Sequence, residues 1–211
     1  MRLKSGFASL TLCVLAGVLL LSVGKPFPAT AHAASSNEPS YTKSGDLEPF
    51  TNYREWVYLT TGMDMSYNAK PAGMQDHSMF DNVFVNPEAY RSFVKTGTWP
   101  DKTVMILEAR EARSKGSINQ AGHFQADDVM DLEVHVKDES RFPGKWAFFS
   151  FDSPAGKGTL IPQTAKCYTC HAEHAAVDTT FVQFYPTLLP IATEKHTLSP
   201  EYVKESSEAK P

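Results

Sequence analysis

The sequence predicts an α+β fold: a mainly antiparallel β-sheet of about five strands with a few short helices. Three observations carry this. Short stretches rich in β-branched and aromatic residues recur between turn signals. The clearest of them, "DLEVHV", alternates Leu132, Val134 and Val136 with Asp131, Glu133 and His135, the period of a sheet with one buried face. Helical signals are confined to short segments, without the long crossovers that parallel strands need.

Element by element, Arg2 and Lys4 precede an apolar run from Phe7 to Val23, and Ala31-His32-Ala33 is a small-residue cleavage site. Residues 1–33 therefore read as a signal peptide, removed with Cys13 inside it, and the expected address is outside the cytoplasm. Residues 34–49 are polar with Pro, Ser and Gly, and read as a flexible leader, with order beginning at Phe50. Strands are expected at Glu55 to Thr60, Val83 to Val85, Thr103 to Arg110, Val129 to Val136 and Lys145 to Phe151. The last is apolar on both faces, as in a central strand. Asn86-Pro87-Glu88 opens a helix with an Asn N-cap, Pro at the first position and an acid in the first turn, and Gly97 closes it. A C-terminal helix starting near Thr164 carries "CYTCH", Cys167 to His171. Residues 50–192 form one domain, and the polar stretch 193–211 reads as a disordered tail.

Loss of Arg2, Lys4 and Lys25 with the signal peptide leaves 17 basic against 24 acidic residues, a formal charge of −7. Nucleic acid and anionic membrane surfaces, which demand clustered Lys and Arg, are excluded as partners.

Several chemistries compete for Cys167, Cys170 and His171. As a haem c site, the two thiols join the vinyl groups of one covalently attached porphyrin and His171 is an axial iron ligand. A thioredoxin-like dithiol would want a preceding strand in a βαβ setting, and gives His171 no task. A zinc site would use His174 as fourth ligand, but adjacent Cys170 and His171 close a tetrahedron poorly. A plain disulfide is the remaining alternative in an exported chain. The abundance of aromatic residues, 13 Phe, 8 Tyr and 3 Trp, suits a buried macrocycle as well as an ordinary core.

For a sixth iron ligand, Met63, Met65, Met74, Met79, Met105, Met130, His77, His123, His135, His174 and His196 are available, and none stands in a context that marks it. His135, alternating with acids, reads as solvated. His174 lies too near His171 on one helix to reach the opposite side of the ring.

Beyond "CYTCH", the segments "YREWV", "VFVNPEAY", "LEVHVKDESRFPGKWAFFSF", "TAKCYTCHAEHA" and "FVQFYPTL" resemble the cytochrome P460 and cytochrome c′-β family of bacterial monohaem proteins, over residues 50 to about 190. The resemblance implies a five-coordinate haem with a proximal histidine, a homodimer and a periplasmic location. In the P460 branch a lysine late in one strand, just before a glutamate, cross-links to the porphyrin and accompanies hydroxylamine oxidation. Here that position is Leu107, followed by Glu108. Leucine has no amine, so the chain is closer to the c′-β type, with Leu107 and Met105 in an apolar pocket. Where P460 members carry a basic pocket residue, this chain has Asp81, and Phe80 and Phe84 are candidates to cap the distal side. The resemblance thus implies binding of small gaseous or nitrogen-oxide ligands such as NO and CO. The alternatives are a P460-type enzyme oxidising hydroxylamine or NO, and a periplasmic electron-transfer cytochrome with a redox partner.

Overall fold

The computed structural model describes residues 37–65 and 78–208. The expected signal peptide, Met74 and His77 lie outside them. Six strands form one antiparallel sheet in sequential order: β1 (Val57–Met63), β2 (Met79–Val85), β3 (Val104–Arg113), β4 (Phe124–Lys137), β5 (Trp146–Phe151) and β6 (Gly158–Leu160). Among the described residues four α-helices accompany it: α1 (Pro87–Thr96), α2 (Lys166–His174), α3 (Leu189–Glu194) and α4 (Pro200–Glu208). The architecture is the α+β class the sequence predicts, with one strand more than the five expected. β6 is only three residues long, too short for its alternation to be read.

The two faces of the sheet bury different clusters. On one, Val104, Ile106, Leu132, Val134, Val136, Phe149 and Phe151 pack beneath Leu47, Phe50, Tyr53 and Trp56. On the other, Val85 and Met105 pack with Phe93 of α1, Trp99, and the segment holding Val177, Val182 and Leu188. β5 is buried on both sides for this reason, although only β6 lies beyond it.

Gly97 ends α1 in the left-handed conformation, φ 76°, with its N–H donating to the Phe93 carbonyl. Asn86 departs from expectation, because its side chain makes no capping hydrogen bond. It ties α1 to β3 instead: Oδ1 accepts from Val104 N–H at 2.9 Å and Nδ2 donates to the Lys102 carbonyl at 3.2 Å.

In two segments expected to be flexible, the described residues, 37–49 and 193–208, make ordered contacts. In the leader, Tyr41 bridges Leu47, Leu47 bridges Gly158, and the Leu47 side chain is fully buried. One apolar residue in a polar stretch suffices, because it caps the open end of a core cluster. In the tail, α4 forms, Leu198 and Tyr202 pack on the helix-side core, and Ser199 Oγ donates to the Ala175 carbonyl at 2.6 Å. The apolar residues there are too sparse to show a period, yet Leu198 and Tyr202 both find partners.

Candidate functional site

β-Strand parity builds the site. Met105, Leu107 and Ala109 of β3 project from the helix-side face, and so do Asp131, Glu133 and His135 of β4. Asp81 and Val83 of β2 and Phe148 of β5 continue the same wall. Opposite them stand His171 of α2 and Thr180, Phe181, Phe184 and Tyr185 from the segment after it. Together they enclose a cavity of about 320 Å³, at the lower end of the range of small-molecule sites.

The polar row of "DLEVHV", expected to meet solvent, thus lines this cavity. His135 is 8 % exposed, stacks on Phe148 with ring centroids 3.9 Å apart and meets the His171 ring edge-on at 5.3 Å. Burial holds its pKa well below the ordinary histidine range, with His171 adding to the effect, so the ring is neutral. Period-2 alternation shows that two faces differ, but not that the polar one is wet. The available signal is "HVKDESRFPGKWAFF": His135 pairs with Phe148 of an apolar strand.

His171 is positioned by the segment that follows its helix. Its Nδ1 donates to the Thr179 carbonyl at 2.7 Å, since a carbonyl can only accept. Nε2 is therefore the nitrogen with the free lone pair, as a metal ligand requires. Phe181 flanks the ring at 4.2 Å and Phe148 at 4.6 Å, and burial lowers its pKa. Cys167 and Cys170 are free thiols of intermediate exposure, three residues apart on α2. Burial raises the pKa of Cys170, aided by Glu173, Cys167 and Glu205, so it stays a thiol. No side chain of α2 is fully buried. These residues fit a haem: two thiols and an imidazole nitrogen on one helix, whose inner face is incompletely covered, beside an aromatic-walled cavity. Among the described residues no three His, Cys, Asp or Glu side chains converge as metal ligands, so the competing zinc arrangement with His174 is not assembled.

The distal expectations divide. Met105 and Leu107 line the cavity, as does Asp81. Phe80 and Phe84 do not, because they alternate with the lining residues Met79, Asp81 and Val83 and so lie on the opposite face of β2. Phe84 packs there against Tyr53 and Tyr58 at 5.7 and 6.0 Å. Parity alone forbids Asp81 and its neighbour Phe80 from entering one pocket. Nor is the pocket uniformly apolar. Asp81, Asp131 and Glu133 form an acidic end, and burial followed by mutual repulsion raises the pKa of Asp81 and Glu133.

Of the sixth-ligand candidates, Met65, Met79, Met105 and His135 line the cavity. His174 turns away, its Nδ1 3.1 Å from Glu205 of α4. Glu108, next to Leu107, points through the sheet into a network with Tyr53, Arg54 and Arg110.

A sheet carrying a Cys-x-x-Cys-His helix over an aromatic cavity defines a haem-binding protein of the cytochrome kind. More narrowly, the chain belongs to the cytochrome P460 family, whose model matches residues 50–182. The family is one of c-type haem proteins, and the cofactor it implies is haem c. No curated protein matches the chain.

Proposed function

We propose that the protein is an exported monohaem cytochrome that binds small neutral ligands such as NO and CO at a five-coordinate iron. Cys167 and Cys170 would hold the one haem covalently and His171 would ligate its iron. When bound, the haem supplies the metal at which a diatomic ligand attaches. The observation that carries the reading is the cavity wall: Leu107, which the resemblance aligns with the family's cross-linking lysine, lines it, and among the described residues no Lys or Arg does. Such a wall offers no cationic donor to an anionic ligand, while the acidic end repels anions.

Export to the periplasm is supported by the charged, apolar start of the chain, and N-terminal sequencing of the mature protein should begin close to Ala34. A homodimer rests on the family resemblance and is read by sedimentation.

The test is one preparation from a host that matures c-type cytochromes. Intact mass should exceed the polypeptide by one haem, and replacing Cys167 and Cys170 with Ala should abolish the gain. The ferrous spectrum should be high-spin and five-coordinate, and should respond to CO and NO. A low-spin six-coordinate spectrum would favour electron transfer through a cavity methionine or His135. The enzyme reading, oxidation of hydroxylamine or NO, is favoured by one observation: the carboxyls of Asp81 and Glu133, with raised proton affinity, could accept protons from a bound hydroxylamine. Sustained hydroxylamine turnover would put that reading first.

A further inference from the structure

We infer that His135 is a positioning residue for His171, acting through Thr179, and sets how strong an axial ligand His171 is. This rests on the reading of His171 as the iron ligand.

Thr179 bonds both histidines. Its carbonyl accepts from His171 Nδ1 at 2.7 Å, and its Oγ1 lies 3.3 Å from His135 Nε2. The threonine sits in a tight turn between Asp178, in the left-handed region at φ 53°, and Thr180, whose Oγ1 accepts from Trp99 Nε1 at 2.8 Å and donates to the Val177 carbonyl at 2.8 Å. The turn is pinned on one side by Trp99 and on the other by His135. The His135 ring is itself fixed, between Phe148 at 3.9 Å and Trp146 at 4.4 Å.

A buried imidazole is costly where an aromatic hydrocarbon would fill the same stack. What His135 adds over phenylalanine is one hydrogen bond, and that bond ends on the residue that orients His171. A carbonyl held firmly against Nδ1–H increases the basicity of Nε2. A loosened carbonyl weakens it. In physical terms, the strand platform reaches the axial nitrogen through two hydrogen bonds and one threonine.

The experiment uses the ferrous holoprotein, with haem content checked by intact mass, and reads the iron–histidine stretching band and the reduction potential. His135→Phe keeps the stack and removes the hydrogen bond. Thr179→Val removes Oγ1 and leaves the carbonyl. Each should shift the band to lower frequency and the potential upward, and the double variant should shift no further than the larger single one. Thr179→Ser, which retains Oγ1, should match the parent protein. If Thr179→Val leaves both readouts unmoved while His135→Phe changes them, His135 acts by packing and the inference is overturned. Additive shifts overturn it too. Should His135→Phe fail to fold, Thr179→Val against Thr179→Ser decides alone. A parent protein without a haem mass would instead overturn the haem reading, and this inference with it.

Discussion

Leu107 of β3 and Glu133 of β4 are paired directly across the sheet and project into one cavity. An aliphatic side chain and a carboxyl thus share the wall at the position that the resemblance aligns with the amine of the family's cross-linked branch. In the unmodified protein, proteolysis should release haem only on the peptide containing Cys167 and Cys170. Leu107→Lys places an amine beside Glu133, at a cost of about 1–3 kcal/mol for the buried polar group, softened by the carboxylate opposite. This variant should cross-link to haem after peroxide treatment. A haem peptide from residues 103–115 of the parent protein would show that the lysine's role has passed to a different residue.

The acidic end of the cavity should make stability fall with rising pH. Asp81 and Glu133 have raised pKa values in the fold, so the folded state holds their protons more tightly than the unfolded chain does. Their burial costs nothing below the unfolded values of about 3.9 and 4.3, and the penalty grows as pH rises through the folded values. Asp81→Asn should therefore raise the melting temperature at neutral pH and leave it nearly unchanged near pH 4. Equal gains at both pH values would mean that charge is not the cause.

On the opposite face, Glu108 is 2 % exposed and accepts from Tyr53 and Arg110, with Arg54 alongside. Glu108→Gln leaves the nearly buried Arg110 without its counter-charge and should cost about 3 kcal/mol in urea unfolding. Haem content should not change, because the network lies beyond the sheet. A loss under about 1 kcal/mol would place the pairs with ordinary surface ion pairs.

Asn86→Ala should cost about 2 kcal/mol, because it orphans the Val104 amide and the Lys102 carbonyl. Asn86→Ser separates this from capping. Serine is as good a cap as asparagine, but it cannot reach both groups, so it should not restore stability. Full restoration would return Asn86 to the capping role its sequence context suggests.

Much of the fold was legible because local rules act alone there. Pro87 and Gly97 bound α1, and β-branched and aromatic runs mark five of the strands. What escaped depends on what covers a surface. Leu47 and Tyr202 look like isolated apolar residues until a core accepts them. His135 looks solvated until Phe148, Trp146 and His171 enclose its ring. The thiols and His171 were evident from spacing, and Leu107 from the resemblance. Thr179 carried no sequence signal, since its carbonyl and hydroxyl meet the two histidines only once the chain has folded back.

The sheet's strictly sequential order bears on how the protein folds. Each strand pairs with its neighbour in the chain, so the sheet can grow by successive hairpins, each closing a modest loop at low entropic cost. The cavity cannot form this way, since its lining runs from Thr60 to Tyr185 and needs the chain beyond β6 to fold back. A complete platform can thus precede its lid, leaving Cys167 and Cys170 accessible on an undocked segment until the late helices settle.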